Sequence, residues 1–169
     1  MTRFSFRRLS FVGFALCLSG LAFALMLQHG FGLEPCPMCI FQRIAMAASG
    51  LCFLGAALHA PTGSGRRVWS ILALLGALAG AGIAARHVWL QGLPPDQVPA
   101  CGPTLNYLLG MLPVAEVVQL VLKGDGNCAK IDAALFGISL PGWTLISFIA
   151  LSLYALLLPM LARRHSIFS

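Results

Sequence analysis

The sequence predicts an all-α integral membrane protein, a four-helix bundle with a short interfacial helix in a long second loop. Three observations carry this. The 169-residue chain is 59% hydrophobic and only 9% charged, whereas a soluble domain carries about 25% charged residues. Its apolar residues fall into four runs, each long enough to cross a bilayer. Its basic residues, which leave a net charge of +6, stand at the ends of those runs and are not clustered with aromatics on one face. That pattern reads as topology and argues against a nucleic-acid surface. The whole chain, 1–169, reads as a single membrane domain.

The first predicted helix, 9–28, follows Arg3, Arg7 and Arg8 and is uncharged; at 1.5 Å per residue it spans about 30 Å. Ala22-Phe23-Ala24 also resembles a signal-peptide cleavage site, but a signal's apolar core runs only about 7–15 residues. After a short loop, 29–36, the second helix covers 37–58. The turn Ala60-Pro61-Thr62-Gly63-Ser64-Gly65 ends in Arg66 and Arg67 and reads as a hairpin on the cytoplasmic side. The third helix, 68–85, has Gly76, Gly80 and Ala84 on one stripe and Ala73, Ala77, Ala81 and Ala85 on another. Small residues at that spacing let backbones approach closely, which places this helix in the middle of the bundle.

From 86 to 142 hydropathy drops and Pro94, Pro95, Pro99 and Pro103 follow one another; this reads as a long external loop. Within it 113–122 reads as a helix, with Glu116, Gln119 and Lys123 on one polar stripe. It is too short to span and is expected to lie among headgroups. The turn Lys123-Gly124-Asp125-Gly126-Asn127 stops it. The last helix, 143–161, ends at Arg163 and Arg164.

Charge decides the orientation. Arg3, Arg7, Arg8, Arg66, Arg67, Arg163 and Arg164 put +7 on the side that holds both termini. The other side has Arg43, Arg86, Lys123 and Lys130 against Glu34, Asp96, Glu116, Asp125 and Asp132, a balance of −1. Positive loops stay inside, so both termini are expected in the cytoplasm and both cysteine-bearing loops outside. Trp69, Trp89 and Trp143 each fall at a predicted helix end, where interfacial anchors belong.

Of the six cysteines, Cys17 and Cys52 fall inside apolar helices and read as packing. Cys36, Cys39, Cys101 and Cys128 fall on the outer side, where disulfides persist. Cys36 and Cys39 lie three apart at a helix start, on one face, with Cα atoms about 5 Å apart, inside the window a disulfide needs. Pro37 suits the first helical position. Unpaired amides and the positive end of the helix dipole then face both sulfurs, surroundings typical of reactive cysteines. Cys101 and Cys128 bracket a Pro- and Gly-rich loop that can close on itself at modest entropic cost. The rival readings for these four are a zinc site, which free thiolates would not survive to form in an oxidising compartment, and purely structural disulfides.

Arg43 stands one turn deeper than Cys39 on the same face. A cation within a membrane helix costs about 2.5–3.5 kcal/mol at the centre and points to function; the alternative is snorkelling to headgroups. Functionally, its guanidinium would donate to an acceptor such as a quinone carbonyl and stabilise the anion formed on reduction. His87, at the outer end of the third helix, could donate a hydrogen bond or a proton, or be a surface residue.

Taken in order, Gln28-His29, Cys36-Pro37-Met38-Cys39 with Arg43, His87, Cys101, Gly126-Asn127-Cys128-Ala129 and Pro141-Gly142-Trp143 match one family. Over nearly its full length the chain resembles DsbB, the bacterial inner-membrane disulfide bond formation proteins. The resemblance implies a quinone-dependent protein-disulfide oxidoreductase, multi-pass in the inner membrane, with periplasmic loops 29–36 and 86–142. Its partners would be a DsbA-like periplasmic thiol oxidase, the membrane quinone pool and the lipid bilayer, with no nucleic acid and no metal. The relay from DsbA through DsbB to quinone is what keeps the bacterial periplasm oxidising.

Carried onto this sequence, a partner thiol forms a mixed disulfide with Cys101 of a Cys101–Cys128 bond. Cys128 then attacks Cys36, and Cys39 passes electrons to a quinone, ubiquinone or menaquinone, whose carbonyls Arg43 and His87 would hold. Gln42 stands where a familiar member has an acidic residue, and Leu140 where it has methionine, so the pocket's shape is expected to differ. A vitamin K epoxide reductase-like protein uses a similar bundle, but the order of motifs argues against it. A non-enzymatic membrane metal-binding or scaffold protein is the alternative in another class.

Overall fold

The computed structural model describes residues 5–131 and 133–163. Arg3, Asp132 and Arg164, which entered the charge balance, lie outside these, as does the side chain of Arg163. Four long helices, α1 (Phe6–Phe31), α2 (Pro37–His59), α3 (Ser64–Gln91) and α7 (Leu140–Arg163), make up the bundle. Each is long and apolar enough to cross a membrane, and the protein is a multi-pass helical membrane protein. Ser5 caps α1 by accepting from the Arg8 amide at 3.4 Å.

Between α3 and α7 lie α4 (Leu105–Met111), α5 (Val114–Lys123), the single turn α6 (Gly126–Ala129) and a hairpin of β1 (Ala134–Leu135) and β2 (Ile138–Ser139). The hairpin is antiparallel, with Ala134 opposite Ser139. It turns at Phe136 and Gly137, both with positive φ, 53° and 80°, the geometry that matches the twist of two short strands.

Two sequence expectations change here. Helix α3 does not stop at 85 but continues to Gln91, so Arg86 and His87 belong to a helix and not to a loop. Hydropathy falls at Arg86, but nothing breaks the backbone pattern before Gly92 and the Pro94-Pro95 pair. The 86–142 segment is also more structured than a loop with one helix, because α4 and the hairpin were not anticipated. The expected helix at 113–122 is α5, preceded by Pro113.

In the bundle α3 packs on both α2 and α7, while α1 packs mainly on α2. Most of the small-residue positions form the seams, although Ala85, expected on one stripe, is exposed. Ala73, Ala77 and Ala84 are fully buried, and at Gly80 a Cβ would lie 2.2 Å from the Phe148 ring. Small residues matter here because close backbone approach supplies the packing that lipid cannot drive. Outward-facing Phe11, Leu16, Leu51, Leu75 and Leu153 are exposed, as expected of surface solvated by acyl chains.

A second, smaller core at the cysteine-bearing end joins Met38, Leu90, Leu108, Val117, Val121 and Cys128. Arg86 fastens this layer to α3. Its Nη2 donates to the Lys123 carbonyl at 3.1 Å and its Nε to the Leu122 carbonyl at 3.4 Å, and the guanidinium lies 4.1 Å from the centre of the Trp89 ring. It thus satisfies carbonyls that α5 leaves unpaired at its end.

Candidate functional site

The site is assembled where α2 begins. Cys36 is the N-cap of α2, with extended backbone, and its sulfur accepts from the Cys39 amide at 3.4 Å. Pro37 occupies the first turn, where its missing N–H costs nothing. The thiol of Cys36 donates to the Cys39 sulfur at 3.1 Å, so the two are within reach of each other without backbone movement.

Cys128 arrives from the other loop. It sits in α6, whose N-cap Asp125 accepts from the amides of Asn127 and Cys128 at 3.0 and 3.1 Å. An Asp in this position fixes the turn because its carboxylate satisfies two amides that would otherwise have no partner. The result is a buried Cys128 whose sulfur, the Cys36 sulfur and a ring nitrogen of His87 all lie within 4.8 Å of one another. The Cys36 sulfur beside it, and then burial, push the Cys128 thiol above the ordinary range.

Cys101 is exposed and is tied to the same turn. The Gly126 amide donates to the Ala100 carbonyl at 3.2 Å, and the Asn127 side chain donates to the Gly102 carbonyl at 3.2 Å. At Gly126 a Cβ would meet the Pro99 carbonyl oxygen at 2.7 Å and the Cys101 sulfur at 3.1 Å, so only glycine lets the two segments close. Cys101 is thus presented to solvent beside α6, while Cys128 points inward to Cys36. All four cysteines are free thiols here.

His87, deep in α3 and 2% exposed, touches both loops. Its Nε2 donates to the Cys128 carbonyl at 3.0 Å and lies 3.8 Å from the Cys36 sulfur. Its Nδ1 is 3.1 Å from the side-chain nitrogen of Gln42. Two thiols and an imidazole are zinc-type donors, but an Nε2 that gives its proton to a carbonyl offers no lone pair to an ion.

Arg43 turns toward α1. Its Nη1 donates to Gln28 Oε1 and its Nη2 to the Ala24 carbonyl at 3.2 Å. The guanidinium is therefore held inside the bundle and does not reach out to headgroups, and it keeps further N–H donors to offer.

Cys36, Cys39, Arg43 and His87 all line one cavity of about 430 Å³, in the size range of small-molecule sites, about 300–1,000 Å³. Its walls are mainly apolar and come from α1 between Gly20 and Leu27, from α7 between Leu140 and Ser147, and from the hairpin. Helices α1 and α7 are joined near the other end of the bundle, where the Tyr154 hydroxyl donates to the Leu9 carbonyl at 2.6 Å; the cavity lies between them at the cysteine end. The hairpin roofs it and is anchored on both sides. The Trp143 indole donates to the Leu135 carbonyl at 3.0 Å, and Ser139 donates to Gln91 at 2.7 Å.

The sequence points to the four cysteines, Arg43 and His87 but not to Lys130, which also lines the cavity, nor to Gln28, Gln42 and Asp125 as the residues that hold them. The signal available for the glutamines was an amide inside or at the end of an apolar helix, where a polar group must find a partner. Gln42 is 4% exposed.

A bundle of this kind, with two cysteine-bearing loops closing over an apolar cavity lined by a half-buried arginine, defines a polytopic membrane thiol protein. The chain belongs to the DsbB family. The family described as "Disulfide bond formation protein DsbB" matches residues 6–158. Curated relatives named "Disulfide bond formation protein B" agree. One from Saccharophagus degradans is 48% identical over 147 residues, 87% of this chain and 89% of the relative. One from Nitrosococcus oceani is 47% identical over 154 residues, 91% of each chain. One from Acinetobacter baylyi is 55% identical over 130 residues, 76% of each. The protein is accordingly a disulfide-forming membrane oxidoreductase.

Proposed function

We propose that this protein reoxidises a DsbA-like periplasmic dithiol oxidase and passes the two electrons to a membrane quinone, in a bacterial inner membrane with both termini cytoplasmic. The observation that carries the reading is the meeting of Cys128 with Cys36, from two separate loops, at the edge of a cavity that Cys39 and Arg43 also line.

The cavity suits a quinone. Its mainly apolar walls match a ring and a prenyl tail, and the sulfurs of Cys36 and Cys39 and the Arg43 guanidinium belong to residues that line it. Bound there, a quinone would supply a sink for two electrons and two protons. The guanidinium of Arg43, held by Gln28 and Ala24, would donate to a carbonyl and stabilise negative charge as it develops. His87, expected from the sequence to hold the other carbonyl, lines the same wall with both ring nitrogens engaged, Nε2 by the Cys128 carbonyl and Nδ1 by Gln42, so Arg43 supplies the donor and His87 shapes the wall.

In the relay, a partner thiolate attacks Cys101 of the Cys101–Cys128 disulfide, forming a mixed disulfide and releasing Cys128. Cys128 attacks Cys36 of the Cys36–Cys39 disulfide, and Cys39 leaves as a thiolate. The partner's second thiol displaces Cys101, which returns to Cys128 and frees Cys36. Cys36 then closes on Cys39, and the two electrons and two protons released by that bond would pass to a quinone bound in the cavity. The partner dithiol has lost two electrons and two protons, and all four cysteines are disulfides again. Exposed Cys101 suits an outer exchange step, and buried Cys128 with half-buried Cys36 suits an inner one.

Anaerobic mixing of the purified protein with reduced DsbA and a quinone tests this. Quinol should form with the wild type and not with Cys39→Ser, and Arg43→Ala should raise the quinone concentration needed. Normal turnover by Cys39→Ser would show the assigned relay to be wrong.

A further inference from the structure

In its neutral form His87 has one proton to place between two ring nitrogens, and its two partners decide where it goes. Nε2 faces the Cys128 carbonyl oxygen at 3.0 Å. A carbonyl can only accept, so the proton must be on Nε2; without it two lone pairs would face each other. Nδ1 is then an acceptor, and the group opposite it at 3.1 Å is the side-chain amide of Gln42, a donor through its nitrogen. Both residues are more than nine-tenths buried, so removing either bond would leave a buried polar group without its partner.

We infer that Gln42 is a positioning residue that fixes the Nε2–H form of His87, and that the pair latches α6 onto the bundle so that Cys128 is held against Cys36. The chain runs from the α2 amide through the α3 imidazole to the loop carbonyl. It links two spanning helices to the one backbone group adjacent to the thiol that must be delivered. The inference rests on the reading in which Cys128 and Cys36 exchange. An amide at position 42 donates to a neutral ring, whereas a carboxylate there could only accept and would hold the ring with protons on both nitrogens.

The test uses the full-length chain in micelles, with Cys39→Ser and Cys101→Ser so that Cys36 and Cys128 are the pair left in the site. Long-range ¹H–¹⁵N spectra of ¹⁵N-histidine protein, with His87 assigned by its loss in His87→Gln, report which ring nitrogens carry protons. Glutathione buffers report the equilibrium for closing the Cys36–Cys128 disulfide. We expect protonated Nε2 and bare Nδ1 in the parent. Gln42→Leu should lose the single tautomer and lower the closure constant about tenfold, the effect of orphaning one buried acceptor. Gln42→Glu should protonate both nitrogens and keep closure within about twofold of the parent, because a charge-assisted bond replaces the neutral one.

A parent ring protonated on Nδ1 would overturn the assignment. Unchanged closure in Gln42→Leu, or equal losses in Gln42→Leu and Gln42→Glu, would overturn the latch. Failure of quinol formation by the wild type would instead sink the functional reading and leave these measurements to stand.

Discussion

Cys128 and Arg43 show how single side chains set the chemistry. The Cys128 thiol is raised from its ordinary 9.0 by the adjacent Cys36 and by burial. A raised pKa means the thiol keeps its proton to higher pH, so its reactive fraction goes on growing about tenfold per pH unit where an ordinary thiol levels off near pH 9. Alkylation of Cys128 in the fully reduced chain, followed by mass spectrometry, should therefore rise without a plateau through about pH 10. Cys36→Ala removes the largest cause and should bring a plateau back toward the ordinary range. For Arg43 the supporting group is testable by itself. Gln28→Leu removes the bond to Nη1, and the quinone concentration for half-maximal turnover should rise about three- to tenfold with little change in maximal rate. An unchanged requirement would mean that Ala24 alone positions the guanidinium.

At the scale of elements, α6 and α3 carry the argument. The four-residue α6 exists because Asp125 satisfies the Asn127 and Cys128 amides. Asp125→Ala should cost about 1 kcal/mol of local stability and lower the Cys36–Cys128 closure constant about fivefold. Measuring that constant in glutathione buffers checks it, and an unaltered value would show that the loop ties at Ala100 and Gly102 suffice. In α3, Gly80→Ala would drive a methyl into fully buried Phe148. Overpacking of this kind should destabilise the bundle by about 1–3 kcal/mol, read as a lower denaturant midpoint in micelles. At Gly82, where nothing lies within 4 Å of an added Cβ, the same change should leave the midpoint unaltered.

For the whole molecule the prediction is topological. The clustering of arginines at one end of the bundle and of all four reactive cysteines at the other makes the orientation a matter of charge. A membrane-impermeant maleimide added to spheroplasts should label exposed Cys101 after reduction, and a reporter fused after the last helix should be reachable only once the cells are lysed. Labelling of Cys101 only in lysed cells would invert the molecule and remove the periplasmic partner.

Composition and period alone determined the all-helical membrane class, the four spans and the pairing potential of Cys36 with Cys39. These depend on sums over many residues or on neighbours three apart, both of which are visible along the chain. Even so, hydropathy placed the end of α3 too early, because a helix stops where its backbone is broken and not where its side chains turn polar. Tertiary structure alone decided that Cys128 meets Cys36 while Cys101 faces solvent, that Gln28 holds Arg43, and that Gln42 holds His87. Those meetings depend on how each helix is rotated about its axis and how far one slides past the next. An apolar run that is greasy on every side leaves both undetermined until the small residues of the seams lock the helices together.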